Sequence, residues 1–474
     1  MKKSVFLLLI SLSLGDEPAI LFSGYVDFAH ISRLSDYSLI DIPYRMGSLE
    51  FEHGSGNLSL NGNFVLEYQV RGDSYFLGSK DPQEFRLDMR ELYTTYSGNN
   101  FEFRIGKQIH SWGSVDENSP LDNASAFDYY YIFFLGTERK MATMSAALDY
   151  YYGNLKTSVV LSPLHHTNRI PLGDDDFPIT LPVYPQEDQI FPINKLPFEG
   201  GIYTTLSHGK GDISFSYYST YDRIFNLTGV NVYGHGSDLS FPYIDILFGY
   251  RKTNVMGVGG IFLSDWFVLR GDIGYFSTRD LNSSTSREST NNPAWYDSLH
   301  FSYPLQEQAD FYETTIQIET ELPLKINFVA QYFQYDTLSY ASGNLPVDQE
   351  ISIPNLNIDP EEMTPSYFFT PGVGAPLAVI TNRAAILTLD RMFMNEQLKL
   401  SAMSMLDLET YVGVTGIPGS LTEFKIEYNV TQDLLGLIAL TKVTGSDTHP
   451  DGENYQFNKM GDFSHVRFEI KYFF

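Results

Sequence analysis

Cysteine is absent from this 474-residue chain, and tryptophan occurs only three times. Without cysteine there is no disulfide framework, no thiolate zinc site, no thiol catalysis and no lipoprotein acylation. Cations are scarce: 31 Lys and Arg stand against 58 Asp and Glu, a formal net charge of -27. Such a chain lacks the basic surface that neutralises phosphates, which excludes nucleic acid as a partner. Long apolar runs are missing too. No internal stretch reaches the ~18 residues of a transmembrane helix, and mean hydropathy is -0.17. What is abundant is tyrosine and phenylalanine, 33 and 35 residues, within a hydrophobic content of 43% that rules out global disorder. Two or three soluble domains would be ordinary at this length, but the patterning points elsewhere.

The N-terminus reads as an export signal over residues 1–15. Lys2 and Lys3 precede the short apolar run Val5 to Leu14, and Ser13-Leu14-Gly15 offers a small-x-small cleavage step. The expected mature chain, 16–474, is then an envelope protein and a single domain.

From about residue 20 the period is two. In Asn57 to Arg71, Leu58, Leu60, Phe64, Leu66, Tyr68 and Val70 share one parity, and Ser59, Asn61, Asn63, Glu67, Gln69 and Arg71 share the other. Successive side chains of a strand point to opposite faces, so one face is apolar and the other polar. The pattern recurs over Trp266 to Phe276, Tyr312 to Thr320, Leu324 to Tyr335 and Thr422 to Val430. A soluble sandwich also alternates, but these segments are long, as a tilted membrane strand requires. The connections alternate as well. Short ones fall near His53-Gly56, Ser97-Asn100, Gly153-Asn154, Gly209-Gly211, Ser264-Asp265, Leu322-Pro323, Asn395-Glu396 and Gln432-Asp433. Long ones run over 32–43, 72–82, 111–140, 164–199, 223–249, 279–308, 337–381, 412–420 and 443–461. Eighteen strands follow, sixteen being the nearest alternative: an all-β, antiparallel transmembrane barrel with short periplasmic turns and long extracellular loops. At the C-terminus Val466, Phe468, Ile470, Tyr472 and Phe474 form one apolar face. This ending resembles the signal read by the barrel-assembly machinery through strand addition, with Phe474 as its last element.

In such a barrel the apolar face meets lipid and lipopolysaccharide, and the polar face lines the lumen. Candidate pore-lining residues are Glu67, Arg71, Arg86, Asp88, Arg90, Glu102, Arg104, Arg270, Asp272, Glu313, Glu423, Lys425 and Arg467, extended by Glu319, Lys325, Glu427, Glu469 and Lys471. Both signs are interleaved, which suits either a wet pore with a transverse field or charges paired across strands. Glu91 and Lys107 break parity: either a bulge resets the register, or the charges lie near the interface and snorkel, and at Gly106-Lys107 a bulge is expected. Loop 111–140 holds Trp112-Gly113, the aromatic run Phe127 to Tyr131, Phe133-Phe134 and Glu138-Arg139-Lys140. It is too apolar to stand in water. It should pack into the lumen or over its mouth, with Glu138, Arg139 and Lys140 near the narrowest point. The acidic clusters 174–176 and 359–362 lack the spacing of a calcium loop and read as solvated surface. His165-His166 reads as a loop pair. No cofactor or resident metal is called for.

Arg90-Glu91-Leu92-Tyr93, then Arg104-Ile105-Gly106-Lys107-Gln108, then Ser111-Trp112-Gly113 and Ser119-Pro120-Leu121-Asp122, resemble a group of uncharacterised porin-like outer-membrane proteins of Gram-negative bacteria. Val159 to Pro163 and Arg169-Ile170-Pro171 extend the resemblance, which covers about residues 85–175. It makes Gly106, Lys107, Gln108, Trp112 and Gly113 family-motif positions. It implies a porin-like barrel with no agreed substrate. A more distant similarity to alginate-export barrels raises polymer export as the alternative. An outer-membrane enzyme is the third class, but no Gly-x-Ser-x-Gly elbow is present. Strand-like sequence from Leu21 onward leaves no room for a plug domain. The expected function is a channel for small solutes with weak cation preference; a homo-oligomer is compatible with it.

Overall fold

The computed structural model describes residues 20–40, 42–68, 85–134, 138–171, 189–190, 193, 197–286, 298–342, 369–411 and 413–474, and the backbone alone of 351–353 and 356–358. Arg71, the acidic clusters 174–176 and 359–362, and the export signal lie outside these residues. Eighteen antiparallel strands make one closed sheet, in which each strand pairs with its sequence neighbour. Closure is made by the first strand, Leu21–Arg33, which pairs with Tyr44–Ser55 on one edge and with the last strand, His465–Phe473, on the other. Gly24 and Phe474 complete the seam by exchanging backbone N–H···O bonds of 3.1 Å in both directions. A closed sheet leaves no unpaired edge, the condition for a β-structure in lipid.

All eight tight turns and all nine long connections fall where the alternation puts them. Burial follows the same two-residue beat. Phe28, Leu87, Ile105, Phe215, Met256, Ile273, Phe424 and Phe468 face outward and are exposed, Leu87 by 72%. Apolar exposure on that scale marks a surface that meets lipid rather than water. Tyr96, Phe101, Tyr150, Tyr152, Trp266, Tyr428 and Tyr472 gather on the outer face close to the tight turns. Amphipathic rings occupy that position at a membrane–water interface.

The register corrects one expectation. The bulge lies in the strand Phe85–Ser97, where the pairing steps from Asn63↔Glu91 to Phe64↔Met89 and leaves Arg90 as the extra residue. It turns Glu91 to the inner face, where its Oε1 accepts the Ile109 N–H at 2.7 Å. The strand Phe101–Gln108 pairs without a shift on both sides, so Gly106-Lys107 is not a bulge. Gly106 answers a different demand. Its φ is +140°, and a Cβ there would sit 2.3 Å from the Leu92 carbonyl oxygen. Lys107 keeps outward parity, yet its Nζ reaches Asp88 at 3.3 Å and the Met89 carbonyl.

The hydrophobic core lies inside the barrel, not between layers. Phe127, Tyr129 to Phe134, Leu377 and Phe463, all from long connections, pack on the inward wall residues Ile31, Phe333, Met403, Met405, Leu421 and Val443. Above the rim, Asn226–His235, Asp238–Gly249 and Ser298–Pro304 form a separate three-stranded sheet. Arg251 fastens these connections: it donates from Nε to Asp222 at 2.6 Å, pairs with Glu307, and donates to the Thr370 carbonyl at 2.5 Å.

Candidate functional site

Residues 109–142 leave the wall after Gln108 and return at Thr143. Gln108 anchors the departure by donating from Nε2 to the Ser145 carbonyl at 3.1 Å. Trp112 then stacks on Tyr203 and meets Tyr218 edge-on, with ring centroids 5.6 and 5.4 Å away. Gly113 follows with φ +113°, where a Cβ would stand 2.1 Å from Ser119 Oγ. Only glycine fits this tight, left-handed step, which explains the Trp-Gly pair in physical terms.

Beyond Gly113 the loop meets the far wall. Asp272 accepts the N–H groups of Ser114 (2.8 Å) and Val115 (3.1 Å) and the Ser119 hydroxyl (2.8 Å). Asn118 donates from Nδ2 to Gln331 at 2.8 Å, and its carbonyl accepts from Thr315 Oγ1 at 2.6 Å. Asp272, Thr315 and Gln331 stand on strands six, seven and eight places further round the wall of eighteen than Phe101–Gln108. The loop therefore crosses the barrel interior. On the way back, Asp128 and Glu67 grip Arg169 at 3.1 and 2.7 Å. Arg45 lies 4.0 Å over the Tyr131 ring and donates to the Glu138 carbonyl, and Arg90 donates to the Lys140 carbonyl at 2.8 Å.

Two ion pairs tie the outgoing arm to the returning one, Arg139 with Glu117 and Lys140 with Asp122. A cavity of about 410 Å³ remains between the arms. Its lining comes from 111–113, 115–119, Asp122, Phe127, Glu138, Arg139 and Lys140, with Pro376 from another connection. Burial pushes the Asp122 carboxyl up, against the pull of Lys140. It also pushes up the Asp128 carboxyl, against Arg169. Burial, helped by the Arg104 charge, pushes the His110 imidazole down to about 3. His110 is thus a neutral ring bonded to Ser145 Oγ at 2.8 Å.

The residues expected in the lumen divide into two groups. Arg86, Asp88, Glu102, Arg104 and Arg270 face inward and stay partly or fully exposed. Arg104 pairs with Asp149 at 3.1 Å and Glu102 at 3.5 Å, and Arg270 with Glu319 at 2.5 Å and Asp116 at 3.3 Å. Glu67, Arg90, Asp272, Glu313, Glu423, Lys425 and Arg467 also face inward but are buried. Loop segments cover several of them: Asp272 caps the loop turn, and Glu313 accepts the Ala375 N–H at 2.7 Å. Glu423 and Lys425 pair along the wall, with Arg467 at 3.5 Å and Glu427 at 3.3 Å. Lys325 is corrected: it lies in the tight turn after Leu322, not on the wall. His165 is more than a loop residue, since its Nδ1 meets Glu199 at 2.7 Å while Arg223 holds the other oxygen at 3.2 Å. Arg45, Asn118, Asp128, Glu199, Arg223 and Arg251 are not among the expected site residues, and Asp122 stands only within the Ser-Pro-Leu-Asp step. Asn118, Asp128, Arg223 and Arg251 lie in connections, where an isolated polar residue carries no period; Arg45 and Glu199 stand on strands, where parity shows the face but not the partner.

A closed antiparallel wall, apolar outside and charged inside, defines a membrane-spanning β-barrel of porin-like build. The outer membrane protein OpdK of Pseudomonas aeruginosa is similar over 96% of this chain and 99% of its own, at 8% identity and a TM-score of 0.49. OccAB4 of Acinetobacter baumannii is similar over 97% and 99%, at 8% identity and a TM-score of 0.49. OccK2 (OpdF) of Pseudomonas aeruginosa, solved in complex with glucuronate, is similar over 96% and 97%, at 11% identity and a TM-score of 0.49. No family model and no curated protein matches the sequence.

Proposed function

We propose that this chain is an outer-membrane channel for diffusion or uptake of small solutes, with a charged lumen narrowed by residues 109–142. The observation that carries the reading is the loop's route. It crosses the interior, is held by Asp272 on one wall and Arg45 and Arg90 on the other, and leaves a polar cavity bordered by Glu138, Arg139 and Lys140. Among the described residues, Tyr129 to Phe134 pack on the wall and fill part of the interior, which favours small solutes over a polymer. Export through the N-terminal signal, insertion by the barrel-assembly machinery through Phe474, contact with lipopolysaccharide and self-association belong to the same reading. The excess of acid supports weak cation preference. Purified protein in planar bilayers should give discrete conductance steps and a reversal potential on the cation side. A protein that never conducts, even after a deletion within 111–140, sinks the channel reading; clear anion selectivity removes the cation preference.

A further inference from the structure

The cavity inside the loop has an imbalance of donors and acceptors. Four carboxylates border it, Asp116, Glu117, Asp122 and Glu138, against two lining cations, Arg139 and Lys140. From the wall, Arg270 reaches Asp116 at 3.3 Å but is shared with Glu319, and Gln317 donates to Asp116 at 2.6 Å. Lys140 has three N–H donors, and all three are engaged: by Asp122, by Ser111 Oγ at 2.7 Å and by the His110 carbonyl at 3.4 Å. Arg139 divides itself between Glu117 and the Ile132 carbonyl at 3.1 Å. Asn118, only 5% exposed, adds an acceptor: its Oδ1 has no partner, while its Nδ2 is committed to Gln331. That amide's orientation is fixed by the network, because Gln331 Nε2 already donates to the Glu117 carbonyl and to Gln317. Carboxylates thus outnumber the cations that reach them by four to three, and the Asn118 oxygen stands without a donor. A further charged donor would meet both.

Resting on the channel reading above, we propose that this cavity is a binding site for a small organic cation bearing a primary ammonium group. An ammonium brings three donors and a charge of the required sign. At about 410 Å³ the site admits a solute of diamine or amino-acid size. A quaternary ammonium has the charge but no N–H, so it enters the acidic surroundings without filling the acceptors. A dicarboxylate brings further acceptors and the wrong charge.

The test is current block in planar bilayers by 1,4-diaminobutane, tetramethylammonium and glutarate. 1,4-Diaminobutane should reduce the current at a concentration at least tenfold below tetramethylammonium, and glutarate should not block. Glu117→Gln and Asp122→Asn should each raise the half-blocking concentration of the diamine by about tenfold, the loss of one charge-assisted hydrogen bond. Asp122 also accepts the Trp112 N–H, so a protease-resistant loop in Glu117→Gln serves as the control for folding. Equal block by the two cations, stronger block by glutarate, or unchanged block in both variants overturns the site while leaving the channel standing. A protein that does not conduct even after a deletion within 111–140 overturns the channel reading. Calorimetry with 1,4-diaminobutane then decides the site alone: binding lost in Glu117→Gln supports it, and no binding by the unaltered protein ends it.

Discussion

His110 shows how a residue inside the barrel departs from its ordinary chemistry. Its ring is held neutral, with a pKa of about 3, by burial and by the Arg104 charge. In an undocked loop the same ring would titrate near its ordinary value of about 6.5. At this ring the undocked loop binds the extra proton between pH 6.5 and 3, so the His110 contribution to docking stability is complete above about pH 6.5 and is lost as the pH falls toward 3. Proteolysis within 111–140 should accelerate over that window in the native chain and much less in His110→Gln; equal pH slopes would contradict the assignment. At this scale the sequence reveals only which way a side chain points. Asp272 and Glu313 fall on the lumen parity and do face inward, yet both are fully buried. Parity cannot show that a loop from elsewhere in the chain covers them.

Among the elements, the aromatic segment 127–134 is the one whose composition announces its packing. Each of its large rings, once buried, contributes roughly 1.5–3 kcal/mol through the hydrophobic effect. Phe133 packs against Phe463 with ring centroids 6.3 Å apart. Phe133→Ala should weaken loop docking by about 3–5 kcal/mol. Hydrogen exchange should quicken across 127–134, with the thermal transition of the wall little changed. Loss of the whole barrel instead would show that the loop is part of the wall's own stability. The sequence revealed the apolar content of this element but not its partners, which stand on strands far along the chain. The parity break at Glu91 is legible too, and a bulge does cause it, but the bulge expected at Gly106-Lys107 is absent. Gly106 has the residue type of a bulge, while the extra residue is Arg90, whose long side chain spans to the Lys140 carbonyl.

For the molecule as a whole, eighteen strands, eight turns and nine long connections were legible because hairpin pairing is local. Each strand meets its sequence neighbour, so the two-residue period and the turn residues specify the wall between them. Closure is the exception, since it joins Leu21–Arg33 to His465–Phe473. Removing Phe474 takes away the backbone pair with Gly24 and the last ring of the apolar face. If Phe474 also serves assembly, the truncated chain should fold in detergent at near-normal yield, yet accumulate in cells as folded barrel several-fold less. Heat-modifiable gel mobility measures both fractions, and equal yields in cells would confine Phe474 to the seam.

The loop's anchors also impose an order of events. Ser114 and Asp272 are separated by 158 residues, Asn118 and Gln331 by 213, and Tyr129 and Pro376 by 247. Contacts of such high sequence separation form late, because the intervening chain must first be gathered. The loop can find its seat only after the strands that carry Asp272 and Gln331 have joined the growing wall. Those strands precede the one that closes the seam, so the order in which docking and closure occur decides whether a newborn barrel ever stands with this loop out of its interior.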